Sequence, residues 1–312
     1  LCLSCKGCKS ECPSNVDMGK LKAEWQYQSM RDNGVPFRTK MIANYAKSMK
    51  QFELAPWAFN LTRNLSKPML GFAGKRSIPK MANQTLRSWF NKKFHSLQRK
   101  PKKKVHFFFD EFTNYLDVEI GKKAIMLLDR LGYEVVAADH EISGRAYLSK
   151  GLLQEAKNLA EQNVSLFHRL LKNDSCLVGI EPSAILTFRD EYPDLLRGKE
   201  KEQAEAVASK TFTIEEFLAR EIDAGNLKSE DFPRDKKQIM VHGHCHQKAV
   251  SSMTPTMKVL KTAENFKVQM IPSGCCGMAG SFGYEKEHFD VSMKIGELVL
   301  FPKVREADKD TI

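Results

Sequence analysis

The stretch KVHFFFDEFTNYLDVEIGKKAIMLLDRLGYEVVAAD, Lys104 to Asp139, decides the fold. KVHFFFD is an apolar run of strand length. DVEIGKKAIMLLDRLG spaces its apolar residues as one face of a helix and stops on Gly132, and YEVVAAD reads as a second strand. The alternation continues downstream. Residues 148 to 171 read as a helix, CLVGI (176–180) as a strand, and QIMVHG (238–243) and KVQMIPSG (267–274) as strands flanking a helix over 254–264. Strands alternating with helices at these lengths predict an α/β fold with mostly parallel sheets, whose ligand sites gather at the carboxyl ends of strands.

Upstream, PSNVDMGKLKAEWQYQSMRDNG (13–34) reads as a cap and a helix, with Asp17 accepting from the free N–H groups of the first turn and Leu21, Trp25 and Met30 at roughly helical spacing. Residues 36–98 read as mostly helical, broken at Pro56, Pro68 and Pro79. The organisation expected is a helical segment over 1–98, a basic linker over 99–104, one α/β half over 105–235 and a second over 236–312. Setting residue n against n+133 lays EVVAADHEISGRA (from Glu134) on KVQMIPSGCCGMA (from Lys267), with Gly144 over Gly277. The two halves therefore read as copies of one architecture. Phe112 falls on Cys245, Ile142 on Cys275 and Ser143 on Cys276, so only the second half keeps cysteines.

The 312 residues carry a formal net charge of +11, and their 42% hydrophobic and 28% charged content is that of a globular chain. No apolar run approaches the ~20 residues of a membrane span, and the first residues lack the layout of a signal peptide. The densest basic run, Arg99 to Lys104, reads as a solvated linker rather than a nucleic-acid arm, because neither zinc-finger spacing nor an RNP-like aromatic motif accompanies it. Eight cysteines without a secretory signal point to metal or redox chemistry rather than a disulfide framework. Cys176, alone on a strand, reads as core.

Cys2, Cys5, Cys8 and Cys12 followed by Pro13 spell C-x2-C-x2-C-x3-C-P, the spacing of a ferredoxin-like [4Fe–4S] run. Thiolates two residues apart on a looped backbone can wrap three corners of a cube, and the fourth often serves another cluster. Zinc is the rival occupant. If Cys12 serves a second cluster, its companions lie upstream of Leu1, and the chain is expected to be a piece of a longer polypeptide. A second candidate metal site combines HGHCHQKA (242–249) with SGCCGMAGSFGYE (273–285). Cys245, Cys275 and Cys276 follow strands and can converge there, with His242, His244 and His246 as imidazole ligands or donors to the ligands. The alternatives are buried structural thiols in a tight turn, or a reactive thiol beside an imidazolium.

These motifs, LCLSCKGCKSECPSNVDMGKLKAE with HGHCHQKAV and IPSGCCGMAGSFGYEKEHFDVSMKIGE, resemble the C-terminal iron–sulfur and cysteine-rich CCG region of fused FAD-linked oxidases. These are dehydrogenases of D-lactate, D-2-hydroxyglutarate or glycolate type, related to the iron–sulfur component of glycolate oxidase and to the cysteine-rich component of heterodisulfide reductase. The resemblance implies an electron-transfer module that takes electrons from FAD in an upstream flavin domain and passes them to a quinone or another carrier. It implies a [4Fe–4S] cluster on Cys2, Cys5, Cys8 and Cys12 and a second iron–sulfur cluster or zinc at the CCG site. It also implies a cytoplasmic protein, with contact at the inner face of the plasma membrane and homo-oligomerisation left open, and no nucleic acid. The other reading is a metal-stabilised docking domain without redox activity of its own. No catalytic residue is assigned. Departures from the family pattern are Phe112, Ser143 and Ala184 where relatives carry cysteine. The counterpart of Ala184 in the second half would be residue 317, past Ile312.

Overall fold

In the computed structural model, which describes every residue except Leu1, Ser4, Asn15 and Arg99, KVHFFFD begins as β1 (Lys104–Phe107). Arg99 of the basic run thus lies outside the described residues. The amphipathic run becomes the helix Val118–Arg130, which buries Ala124, Ile125 and Leu128. The chain turns at Gly132 (φ +98°) into β2 (Glu134–Ala137). β3 (Cys176–Gly179) and β4 (Thr211–Thr213) complete a four-stranded, wholly parallel sheet of order β2-β1-β3-β4. In such a sheet the order reverses between β1 and β3, and the strand ends there open a crevice. Val105, Phe107, Leu177 and Val178 are buried on the central strands, with Phe108 packed edge-on against Phe167 and Phe188. Each such side chain contributes about 1.5–3 kcal/mol relative to exposure.

β5 (Lys237–Val241) and β6 (Phe266–Met270) form a second parallel pair, five residues in register, and Gln238 also bridges Thr311 in parallel. β1 and β5 begin at Lys104 and Lys237, and β2 and β6 at Glu134 and Phe266. The helices between the paired strands are Val118–Arg130 and Thr254–Thr262.

Two compact units result, one of residues 1–22 with 215–312, the other of residues 23–214. The helix Met18–Asn33 starts where the capping residue predicts, since Asp17 Oδ1 accepts from the Lys20 N–H at 3.1 Å. Met30 packs against Tyr147 and Leu152, whereas Leu21 and Trp25 face solvent. The helix expected over 148–171 is two helices, Arg145–Ser149 and Leu153–Leu170. The break falls at Gly151 (φ +73°), where a Cβ would stand 2.5 Å from that of Gln26, so helical backbone gives way to a turn. No described helix is long and apolar enough to cross a membrane.

Candidate metal centre

The parallel register places Val241 beside Met270, so the loops leaving β5 and β6 emerge side by side. From β5 the chain runs His242-Gly243-His244 into the helix Cys245–Val250, and His244 Nδ1 accepts from the His246 N–H at 3.2 Å as its cap. From β6 it runs through Ser273 and Gly274 to Cys275 and Cys276. The two loops meet at sulfur: Cys245 and Cys275 share a hydrogen bond at 3.8 Å. Cys275 and Cys276 are bonded in turn, and Cys276 reaches His242, whose Nδ1 lies 2.6 Å from Ser273 Oγ.

The turn carrying both thiols is fixed from two sides. Gly277 sits at φ +83°, and a Cβ there would lie 2.2 Å from the Ser292 carbonyl oxygen. Only glycine fits that approach. Its N–H donates to Cys275 Sγ at 3.3 Å. On the other side Lys248 Nζ donates to the carbonyls of Ser273 (2.8 Å) and Gly274 (2.5 Å). The thiols are graded in acidity. Cys245 is lowered by its bond to Cys275, with Lys248 helping, while Cys276 is pushed up to about 11 by its bond to Cys275. The Cys245 thiolate therefore forms most readily.

The N-terminal cysteines belong to the same unit. Cys8 lies in the one-turn helix Gly7–Glu11, with Cys5 just before it and Cys12, the C-cap, donating its N–H to the Cys8 carbonyl at 2.8 Å. This helix packs on Cys245–Val250, and the charge of Cys5 is felt at Cys245. Lys6, in the left-handed conformation and 3% exposed, pairs with Asp17 at 3.4 Å, and Lys22 Nζ donates to the Cys2 carbonyl at 2.8 Å. Buried cation–carboxylate pairing of this kind anchors the loop on which the thiols stand. Cys2, Cys5, Cys8, Cys12, Cys245, Cys275 and Cys276 are all partly buried and outside disulfides. Cys176 is buried on β3, as expected of a core residue.

Among the described residues, the ligand-type atoms that all fall within 4.8 Å of one another are those of Glu285, Glu287 and His288. The thiols instead make a chain of contacts, Cys245 to Cys275 to Cys276, with His242 at its end. The thiolates of a four-iron cube stand at separate corners, so mutual contact is not what such a site requires. Soft sulfur donors, a nearby imidazole and a lysine against their negative charge suit a thiolate-bound metal. Sequence reading missed Lys248 and Ser273. A basic residue three positions after a motif cysteine, on the helix it opens, was the available signal for Lys248.

The corresponding strand ends of the 23–214 unit are lined by oxygen. Asp110 accepts from the N–H groups of Phe112 (2.9 Å) and Thr113 (2.8 Å) and from the Thr113 hydroxyl (2.7 Å). Glu111 takes both the Ser143 N–H (2.9 Å) and its hydroxyl (2.7 Å), and Glu181 caps the turn at Ser183. Burial pushes the Asp110 carboxyl up to about 8 against those bonds and raises Glu111 as well. Phe112 stands where Cys245 stands at the 133-residue offset, and its ring meets Tyr45 at 5.5 Å. The Tyr45 hydroxyl is buried without a hydrogen-bond partner among the described residues. Desolvation and the charges of Glu111, Asp110 and Glu181 hold it protonated. One more contact and one backbone conformation fall at the offset. The Phe109 N–H donates to His140 Nε2 at 3.0 Å, where His242 meets Ser273, and Gly144 (φ +72°) matches Gly277.

No family model matches the chain, and no solved structure matches it. Among curated proteins it is 26% identical to D-2-hydroxyglutarate dehydrogenase of Escherichia coli, over 95% of this chain and 30% of that protein. It is 26% identical to the C component of the anaerobic glycerol-3-phosphate dehydrogenase of E. coli, over 96% of this chain and 76% of that component. Lactate utilization protein A of Oceanobacillus iheyensis is 26% identical over 61% of this chain and 77% of its own length. The chain thus spans less than a third of the length of the first of these relatives. Nearly end to end, it is similar to a region of one dehydrogenase and to a component of another, which marks it as related to oxidoreductase components.

Proposed function

We propose that this chain is the iron–sulfur electron-transfer module of a flavin-dependent D-2-hydroxy-acid dehydrogenase, passing electrons from FAD in an upstream domain to a quinone or another carrier. The observation that carries the reading is that both cysteine motifs lie in one compact unit, with the helix of Cys8 packed on the helix that Cys245 opens. Electron transfer falls steeply with distance, so two thiolate sites on packed helices suit a relay. Cys2, Cys5 and Cys8 would hold a [4Fe–4S] cluster, with Cys12 directed to a second one. Cys245, Cys275 and Cys276, with His242, His244 and His246 around them, would hold another iron–sulfur cluster or zinc. Such a cluster, when bound, supplies storage of single electrons. The chain's own residues hold the thiols in place: Gly277 and Lys248 fix the turn, Lys6 and Asp17 fix the loop, and Lys248 favours the Cys245 thiolate. Substrate oxidation belongs to the flavin part. The 105–235 region is a second copy of the same α/β half, in which Phe112, Ser143 and Ala184 leave no thiol at the offset positions and Cys176 is buried on β3.

The test is anaerobic reconstitution with ferrous iron and sulfide, followed by iron and zinc analysis and electron paramagnetic resonance after reduction. The full polypeptide, Cys5→Ser and Cys245→Ser are compared. The reading expects bound iron and a paramagnetic signal that Cys5→Ser removes. Zinc without iron and without a signal would support the metal-stabilised docking domain, for which the zinc-compatible trio Cys245, Cys275 and Cys276 speaks. Neither metal in any form sinks both.

A further inference from the structure

The positive charge of this chain has one source. Residues 33–109 hold 17 of the 49 lysines and arginines, but of the 38 aspartates and glutamates only Glu53. The remaining residues carry 32 basic against 37 acidic groups and are net negative. The whole excess of +11 is therefore generated within this segment.

The same segment presents an unusual surface, all of it within the 23–214 unit. The helix Pro56–Thr62 and the turns that flank it face two ways. Inward, Phe59 meets Phe52 with centroids 5.7 Å apart, and both pack around Met49, Met81 and Tyr115. Asn60 exchanges two 2.9 Å hydrogen bonds with the Met81 backbone, which pins the element to the unit. Trp57 and Leu61, one turn apart on the helix, are 69% and 74% exposed, and Leu54 and Leu65, in the short turns on either side, are 99% and 77% exposed. Single exposed apolar residues need no explanation, whereas four large ones gathered on one helix and its flanking turns do. Lys50, Lys67, Lys75, Arg76 and Lys80 flank this group in sequence with only Glu53 among them.

We propose that this face lies on an anionic lipid bilayer. Trp57, Leu54, Leu61 and Leu65 enter the boundary between headgroups and acyl chains, and the flanking lysines and arginines pair with lipid phosphates. An apolar group with a tryptophan, basic flanks and almost no acid is the composition of an interfacial element. An acidic protein would satisfy the charge but not the shape. Apolar anchors at a protein interface are seated in matching pockets, whereas Leu54 projects almost wholly free. Fluid acyl chains accept a projecting side chain without preformed complementarity. The inference goes beyond electron transfer and stands whether or not the thiols hold metal.

The test is flotation of the full chain with vesicles of phosphatidylcholine alone and of phosphatidylcholine with an equal part of phosphatidylglycerol. Flotation with the mixed vesicles only, released by salt, is expected. Leu54→Ser, Trp57→Ser and Leu61→Ser together should lower the bound fraction by about tenfold or more, with the thermal unfolding midpoint kept because the inner face is untouched. Lys75→Glu with Lys80→Glu probes the charge separately, on exposed positions that should not disturb folding, and should also release the chain. The proposal is overturned if the parent chain does not float with either vesicle, or if neither variant reduces flotation. It is also overturned if the serine variant turns a dimer into a monomer by light scattering while no vesicle binds, since a second copy would then cover these residues.

Discussion

The loops leaving β5 and β6 present sulfur, and those leaving β1 and β2 present oxygen. Both regions sit at the carboxyl ends of parallel strands, and both turn on a glycine in the left-handed region, Gly277 in one and Gly144 in the other. The difference lies in how each completes its hydrogen bonding. The oxygen-lined ends are closed: Asp110, Glu111 and Glu181 each accept from backbone or hydroxyl donors of their own unit. The thiol-lined ends are bonded to one another and to the Gly277 and Met278 backbone and His242, through sulfur, a weak donor and acceptor that a metal can engage at small cost. Parallel strand ends thus carry partly buried thiols in one unit and a sealed polar plug in the other.

Substitution at the matched glycines should separate the two most strongly. Gly277→Ala meets both a forbidden conformation and the Ser292 carbonyl oxygen, and should cost about 3 kcal/mol or more. Gly144→Ala meets the same left-handed strain but no backbone clash, its tightest neighbour being Leu159 Cδ1 at 3.3 Å, and should cost about 1–2 kcal/mol. Urea unfolding of both variants gives the comparison, and equal losses would break it.

Glu111→Ala comes next. It leaves the Ser143 N–H and hydroxyl buried without their acceptor, and should destabilise the 23–214 unit by about 2–4 kcal/mol. At the position 133 residues on, in the other unit, His244→Ala removes the side-chain cap of the Cys245–Val250 helix and should cost about 1 kcal/mol. Denaturation followed by far-ultraviolet circular dichroism reads the two.

A pH series sharpens the contrast further. The folded pKa of Asp110, about 8, lies above its ordinary value of 3.8. Its contribution is therefore complete below pH ~4 and is lost as pH rises through ~8. The folded pKa of His140 is depressed to about 3 by burial, so its contribution is present above its ordinary value of 6.5 and lost as pH falls toward 3. Between about pH 6.5 and 8 only the Asp110 slope remains of these two, and stability should fall by up to about 1.4 kcal/mol per pH unit. Asp110→Asn keeps a capping oxygen and should flatten that slope, a change that unfolding free energies across the window would reveal. The smallest effect belongs to Cys176. Cys176→Ala should leave metal content unchanged and cost about 1 kcal/mol, because its thiol is buried on β3 of the 23–214 unit, whereas both motifs belong to the other unit.

Much of this contrast is legible in the chain itself. KVHFFFD and CLVGI announce β1 and β3 by composition, because buried parallel strands need continuous apolar runs. YEVVAAD, QIMVHG and KVQMIPSG announce β2, β5 and β6 by short β-branched and apolar stretches bounded by turn residues, although β5 and β6 stay half-buried or exposed. The meeting of Cys245 with Cys275 follows from two strand ends in parallel register. Three things were not legible. Thr211–Thr213 is too short for any period to register. The break at Gly151 depends on Gln26, more than a hundred residues away. The acidic plug was missed because Asp110, Glu111 and Glu181 lie at the starts of short helices, where a carboxylate reads as a solvated cap until the fold shows what buries it. The solvent-facing Leu21 and Trp25 carry a related lesson: helical spacing marks a face and does not say what covers it.

The pair Tyr45 and Phe112 sets what engineering a metal site into the 23–214 unit would take. A cysteine at position 112 alone would replace the ring that now meets Tyr45 at 5.5 Å, with Ser143 and Ala184 still in place of further donors. A lone thiol holds no metal tightly, so several positions would have to be exchanged together. Exchanging Ser143 would also take from Glu111 the hydroxyl that donates to it. A redesign for metal therefore has to rebuild the polar plug as well as supply the sulfur.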